Sequence, residues 1–232
     1  MIELLVVCAI IGLLASVAIP RFISARRSAN EISAIATLRA VVASQMQAQA
    51  ANSIDTDSDG QAEFAYFGEL CGTVPARVSA GGVPGAGTVG VDELQPSPLL
   101  QTLGNVSQSV VTRSGYVFQI WMPTNPLPAP IAGLAEDLNG GKTAAPFPDP
   151  QTGTQYFCTY GWPINAGLTG TRCFFVNQEG VILETSIRGP GAYSGIVGGP
   201  AFDAAYSVAG DMSSPIARGA PAVDGNNWLP VQ

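Results

Sequence analysis

The chain opens with MIELLVVCAIIGLLASVAIPRF, and inside that apolar run stands one carboxylate, Glu3. From Leu4 to Ile19, sixteen residues pass without a charge. With Met1 and Ile2 the stretch reaches the roughly 17–25 apolar residues that a spanning helix needs. An acid at membrane depth costs about 2.5–3.5 kcal/mol, so Glu3 calls for a partner. A secretory signal peptide would begin with a basic region, and no Lys or Arg precedes Arg21. A plain anchor with Glu3 at the interface is the remaining simple reading.

Two other groups have chemistry in their spacing. Asp55, Asp57, Asp59 and Gly60 fall at positions 1, 3, 5 and 6 of a calcium-loop pattern. Glu63 offers a ligand at position nine, while the twelfth position is Tyr66 rather than glutamate. The loop reads either as a calcium site or as a solvated acidic turn ending a helix. Of the four cysteines, Cys8 lies in the apolar run as a small apolar residue, and Cys71 lies in the body. Cys158 and Cys173 flank Gly/Asn/Thr-rich turn material, and a disulfide across two strands is expected there. It would imply an oxidising compartment. Buried free thiols are the alternative.

The chain has no histidine, which removes the commonest general base, the usual nucleophilic triads and most zinc sites. No phosphate loop, dinucleotide glycine fingerprint, nucleophile elbow or zinc pattern occurs. The net charge of −7 argues against a dedicated nucleic-acid site. The expectation is a protein that is not an enzyme and requires no cofactor, with calcium as the one candidate.

The elements around these residues divide 232 residues into a helical front and a loop-rich body. Only 12% of residues are charged, against about 25% in ordinary soluble domains, so much of the surface is uncharged or covered by copies of itself. Residues 1–22 form an apolar helix. Residues 23–53 continue it, with Ile32, Ile35, Leu38, Val42 and Met46 drawing an apolar stripe expected to cover a sheet. Ala34, Ala40, Ala48 and Ala51 make the opposite, small face. Gly12 and Pro20 bound a weak helical section, because glycine costs about 1 kcal/mol against alanine and proline lacks an N–H donor.

The stretch Ile2-Glu3-Leu4-Leu5-Val6-Val7, then Ala9-Ile10-Ile11-Gly12 and Ala18-Ile19-Pro20, resembles the class III signal region of type IV pilins and type II secretion pseudopilins. In that family a glycine follows the glutamate by nine residues and a proline by seventeen, as Gly12 and Pro20 do here. The resemblance covers about the first 30 residues. It implies that Glu3 neutralises the N-terminal amine of a neighbouring subunit in a filament core. It also implies that Gly12–Pro20 melts on assembly, where an isolated subunit would show a kinked helix. One departure is that the family's mature chain carries its glutamate fifth and N-methylates its first residue. Either two further residues stand before this stretch in the mature chain or processing differs, and the resemblance implies a basic leader upstream.

Within the body, residues 54–186, one short helix is expected near 92–104. Gly115–Met122, Gln155–Trp162, Thr171–Asn177 and Val181–Ser186 read as about four antiparallel strands. Residues 187–232, rich in Gly and Pro but carrying Phe202, Tyr206 and Trp228, read as a tail wrapping over the body or a neighbour. The expected fold is α+β, a long helix against an antiparallel sheet, as the resemblance also implies. The expected function is that of a structural subunit polymerising through its N-terminal helix into a type IV pilus-like filament. Adhesion, motility or DNA uptake would be roles of the whole filament. Its partners would be itself, the inner membrane before assembly and the pilus assembly machinery, with the finished filament extracellular. A type II secretion pseudopilin, or a membrane-anchored binding module that does not polymerise, are the alternatives.

Overall fold

The first fifty residues hold one glycine and one proline, and they form a single helix, α1 (Ile2–Ala50). At 1.5 Å per residue it is about 74 Å long. It stops where Asn52 takes φ 49° and Ser53 N–H turns back to the carbonyl of Ala48, a left-handed stop that asparagine tolerates. The computed structural model describes residues 1–128, 130–187 and 193–231. Residues 188–192 and 232 of the expected tail, and residue 129 of the proline-rich loop, lie outside them.

After α1 come a short helix α2 (Phe67–Leu70) and a two-residue ribbon of β1 (Val78–Ser79) and β2 (Pro84–Gly85). A single 3-10 turn, Gln101–Leu103, stands where a helix over 92–104 was expected. The sheet follows: β3 (Val111–Arg113), β4 (Tyr116–Pro123), β5 (Gly133–Ala135), β6 (Cys158–Pro163), β7 (Arg172–Asn177), β8 (Leu183–Ser186) and β9 (Leu229–Pro230). A helical turn, α3 (Pro150–Gly153), precedes β6, with the Asp149 side chain capping the N–H of Thr152. Strands run in the order β3-β4-β6-β7-β8-β9, with β5 also on β4, and every pairing is antiparallel. The four expected strands are its centre; β3, β5 and β9 are too short to leave a periodic signal.

Strand side chains alternate faces, and here both faces are covered. Tyr116, Phe118, Ile120 and Met122 of β4, with Phe174 and Val176 of β7, pack in one core with Leu38 and Val41 of α1. Val117, Tyr160, Trp162, Cys173 and Phe175 point the other way and meet Ala204, Ala205, Tyr206 and Trp228. The described part of the tail therefore covers the far face of this chain's own sheet, and β9 pairs with β8 at its edge. This is an α+β arrangement, a long N-terminal helix on an antiparallel sheet, consistent with the pilin fold. Gly161 lets α1 approach: a Cβ there would stand 2.9 Å from the Phe118 ring and 3.9 Å from Leu38.

The stripe expected on α1 holds at its centre, where Leu38 is buried and Ile35 and Val42 pack half-buried against the core, and fails at its ends. Ile32 and Met46 are 63% and 42% exposed. The buried positions are Glu31, Ala34, Thr37, Leu38, Val41, Ser44, Gln45 and Ala48. Ala34 and Ala48, placed on the outward face from the sequence, are thus core residues. Small and hydrogen-bonded side chains permit closer helix–sheet approach than Ile and Met, and that packing overrides hydropathy.

Candidate functional site

The candidate site is the free half of α1. Among the described residues, 1–22 share no hydrogen bond with the body and join neither core, and this segment is long and apolar enough to cross a membrane with none of it buried. It fits a pilin-like class III signal region. Glu3 lies exposed in the first turn, where a carboxylate also suits the helix dipole. Gly12 has open space around it: a Cβ would meet nothing within 4 Å. Pro20 sits inside an unbroken helix. In the same section the Ser16 hydroxyl donates to the Leu13 carbonyl at 2.8 Å. Glu3, Gly12 and Pro20 are not brought together; Gly12 and Pro20 stand about 14 and 26 Å along the axis from Glu3. Any chemistry they share must run through another molecule.

The body grips the other half of α1 with polar clamps. Glu31 accepts from the Thr171 N–H at 2.8 Å and hydroxyl at 3.0 Å, and pairs with the Arg172 guanidinium at 2.8 Å. Arg172 also reaches Glu184 at 2.6 Å. Gln45 donates to the Ala65 carbonyl at 2.7 Å and accepts from its N–H at 2.9 Å. Sequence reasoning missed both clamps. The available signal was that Glu31 is the one acid between Glu3 and Asp55, and that it shares helical spacing with Ala34, Leu38 and Val41.

In the acidic loop, carboxylate oxygens of Asp55, Asp57 and Glu63 lie within 4.8 Å of one another. Asp59 does not join them; its carboxylate accepts from the Gln61 N–H at 2.7 Å. Asp55 accepts from Asp59 and Gly60, and Glu63 is held by the Thr56 N–H and hydroxyl at 2.9 and 2.7 Å. Burial raises the Glu63 carboxyl above its ordinary range, against those hydrogen bonds. Tyr66, at the twelfth position, is buried and donates its hydroxyl to Leu134. The donors suit a hard cation, and Asp55, Asp57 and Glu63 are the residues that would hold calcium.

The expected disulfide is not formed. Cys158 and Cys173 are buried free thiols. Cys158 pairs across the ladder with Asn177, four residues beyond Cys173, so the two are offset by about 13 Å along the strands. A disulfide needs Cα atoms within about 7 Å. Burial pushes both thiols well above their usual range.

An open cleft of about 620 Å³ lies between β4 and tail residues 196–201. Gln108, Gln119, Trp121, Leu138 and Val197 line it with other uncharged residues. Among the described residues, no acid, base or nucleophile lines it. No family model matches the chain, and neither a curated protein nor a solved structure is detectably similar to it.

Proposed function

We propose that this chain is a structural subunit that polymerises through residues 1–22 into an extracellular filament of the type IV pilus kind. The observation that carries the reading is the exposed apolar half of α1 with Glu3 in its first turn. An apolar face of this size must be covered. A bilayer covers it while the subunit waits; the same half-helices of other copies cover it in the filament. A plain anchor explains the apolar residues but gives no reason for a carboxylate among them. In a packed core a charge is stable only when paired, and the amine of a neighbouring chain is the partner that fits.

Under this reading the body contributes surface, not catalysis, and adhesion, motility or DNA uptake belong to the assembled filament. Its precursor resides in the inner membrane and needs an assembly machinery to leave it. A type II secretion pseudopilin would share these features with a shorter polymer.

The test is Glu3→Ala in cells, imaged by electron microscopy with body folding checked in parallel. We expect the subunit to accumulate in the membrane and filaments to vanish. Normal filaments would remove the pairing argument; a non-polymerising anchored module predicts instead that neither the wild type nor the variant forms filaments and that both stay monomeric in mild detergent.

A further inference from the structure

Charge is segregated along this molecule. Residues 1–30 carry Arg21, Arg26 and Arg27 against the single acid Glu3. The rest of the chain carries seven cations against sixteen carboxylates. The three arginines follow the apolar run directly and precede the first side-chain hydrogen bond to the body among the described residues, which Asn30 donates to the Thr169 carbonyl. Arg21 and Arg26 are exposed and Arg27 is half-buried. The ion pairs found among the described residues use other cations. The Nε of Arg27 is buried without an acceptor among those residues.

Their placement on the helix is informative. At about 100° per residue, Arg26 and Arg27 stand roughly 140° and 240° around the axis from Arg21. The three form a collar around α1, with no gap wider than about 140°. A single protein partner would be met by one face of the helix. A plane of headgroups meets a helix from all sides. The height agrees: Arg21 lies about 26 Å along the axis from Leu4, where the charge-free run begins, close to the thickness of a bilayer's hydrocarbon core. Arg27 is about 9 Å further, just past the roughly 5–8 Å headgroup layer and within reach of it for a long side chain that turns back. Guanidinium groups bind phosphate oxygens in paired hydrogen bonds.

We propose that Arg21, Arg26 and Arg27 form a binding collar for anionic phospholipid headgroups, which fixes the depth of the membrane-held subunit. The inference rests on the reading that residues 1–22 span a membrane. The collar holds α1 at the interface, while the acidic body is repelled from the same anionic surface. The short stalk from Ile23 to Asn30 keeps the two apart.

The experiment uses the full chain in mixed micelles containing equal phosphatidylcholine and phosphatidylglycerol, with retained lipids counted by native mass spectrometry. Insertion is checked separately by resistance to alkaline extraction from vesicles of the same lipids. We expect phosphatidylglycerol to be retained preferentially, with the preference falling about fivefold for each of Arg21→Gln, Arg26→Gln and Arg27→Gln. Salt of about 0.5 M should weaken it in the wild type. Arg39→Gln, on the body half of α1, should leave it unchanged. Equal retention of both lipids by an inserted wild-type chain overturns the collar and leaves the anchoring reading intact. So does a triple variant that keeps its lipid preference but loses filaments, since that assigns the arginines to protein contacts. A chain extracted at alkaline pH overturns the anchoring reading, and the collar with it.

Discussion

Glu136 follows β5 directly and is buried at 2% exposure. One carboxyl oxygen accepts from the N–H groups of Gly141 and Gly68, at 3.1 and 3.4 Å. The other has no partner among the described residues. Burial pushes the carboxyl up to about 8, and the charges of Glu69 and Asp137 add to the effect. In the unfolded chain it titrates near its ordinary value of 4.5. Between these pH values the unfolded state has released a proton that the folded state retains, so stability falls as pH rises from about 4.5 to about 8. Glu136→Gln keeps the shape and cannot ionise. We expect the wild type to lose several degrees of melting temperature between pH 5 and pH 8.5, and the variant to lose clearly less. The raised Glu63 carboxyl contributes a slope of the same sign to both proteins. Equal slopes would mean Glu136 is ionised in the fold. Nothing near Glu136 in sequence announces this burial, because Gly68 comes from 68 residues away. The Asp55–Glu63 loop was legible for the opposite reason, since its whole pattern is local.

At the scale of elements, the sequence carried the helix and the sheet's centre but not the layer on the sheet's far side. In β4, β6 and β7 large apolar residues occupy both alternating faces, which requires cover on both sides. α1 can supply only one. The second cover is a segment whose glycines and prolines hide any periodicity. It is held by a few large side chains rather than by regular structure. Trp228 packs edge-on to Tyr160 at 5.8 Å and lies 6.0 Å from Phe175. Tyr206 meets Phe175 edge-on at 5.6 Å. The Tyr160 hydroxyl donates to the Phe202 carbonyl and accepts from the Ala205 N–H, both at 3.0 Å. Trp228→Ala should therefore cost about 3–5 kcal/mol, as for large aromatic truncations in a core. Hydrogen exchange should quicken most across residues 202–231 and the far-face strands, leaving α1 comparatively protected. Chemical unfolding followed by circular dichroism gives the energy, since the variant loses a tryptophan. A cost under about 1 kcal/mol would show the tail to be a loose cover. The stripe on α1 fails at its ends by the same physics: period reports that a helix has a buried face, but partners such as Thr171 and Ala65 choose which face.

At the scale of the whole molecule, the two halves of α1 do different things within one continuous helix. Among the described residues, every side-chain hydrogen bond from helix to body begins at Asn30 or later, from Asn30 and Glu31 through Gln45 to Gln49. The apolar half adds nothing to the body's core. The body should consequently fold without it. A chain starting at Ser28 keeps every clamp and offers a serine able to cap the shortened helix. We expect this truncated chain to be a soluble monomer by light scattering. Its melting temperature should lie within about 3 °C of the full chain's in mild detergent, the shift that roughly 1 kcal/mol produces at this size. A much larger drop would mean that the stalk stabilises the body, contrary to the exposure of nearly all of it. The full chain without detergent or lipid should associate through the exposed half. That division is what polymerisation through a helix requires. Under the proposed function the body is complete before assembly, and covering residues 1–22 is what remains for the filament to do.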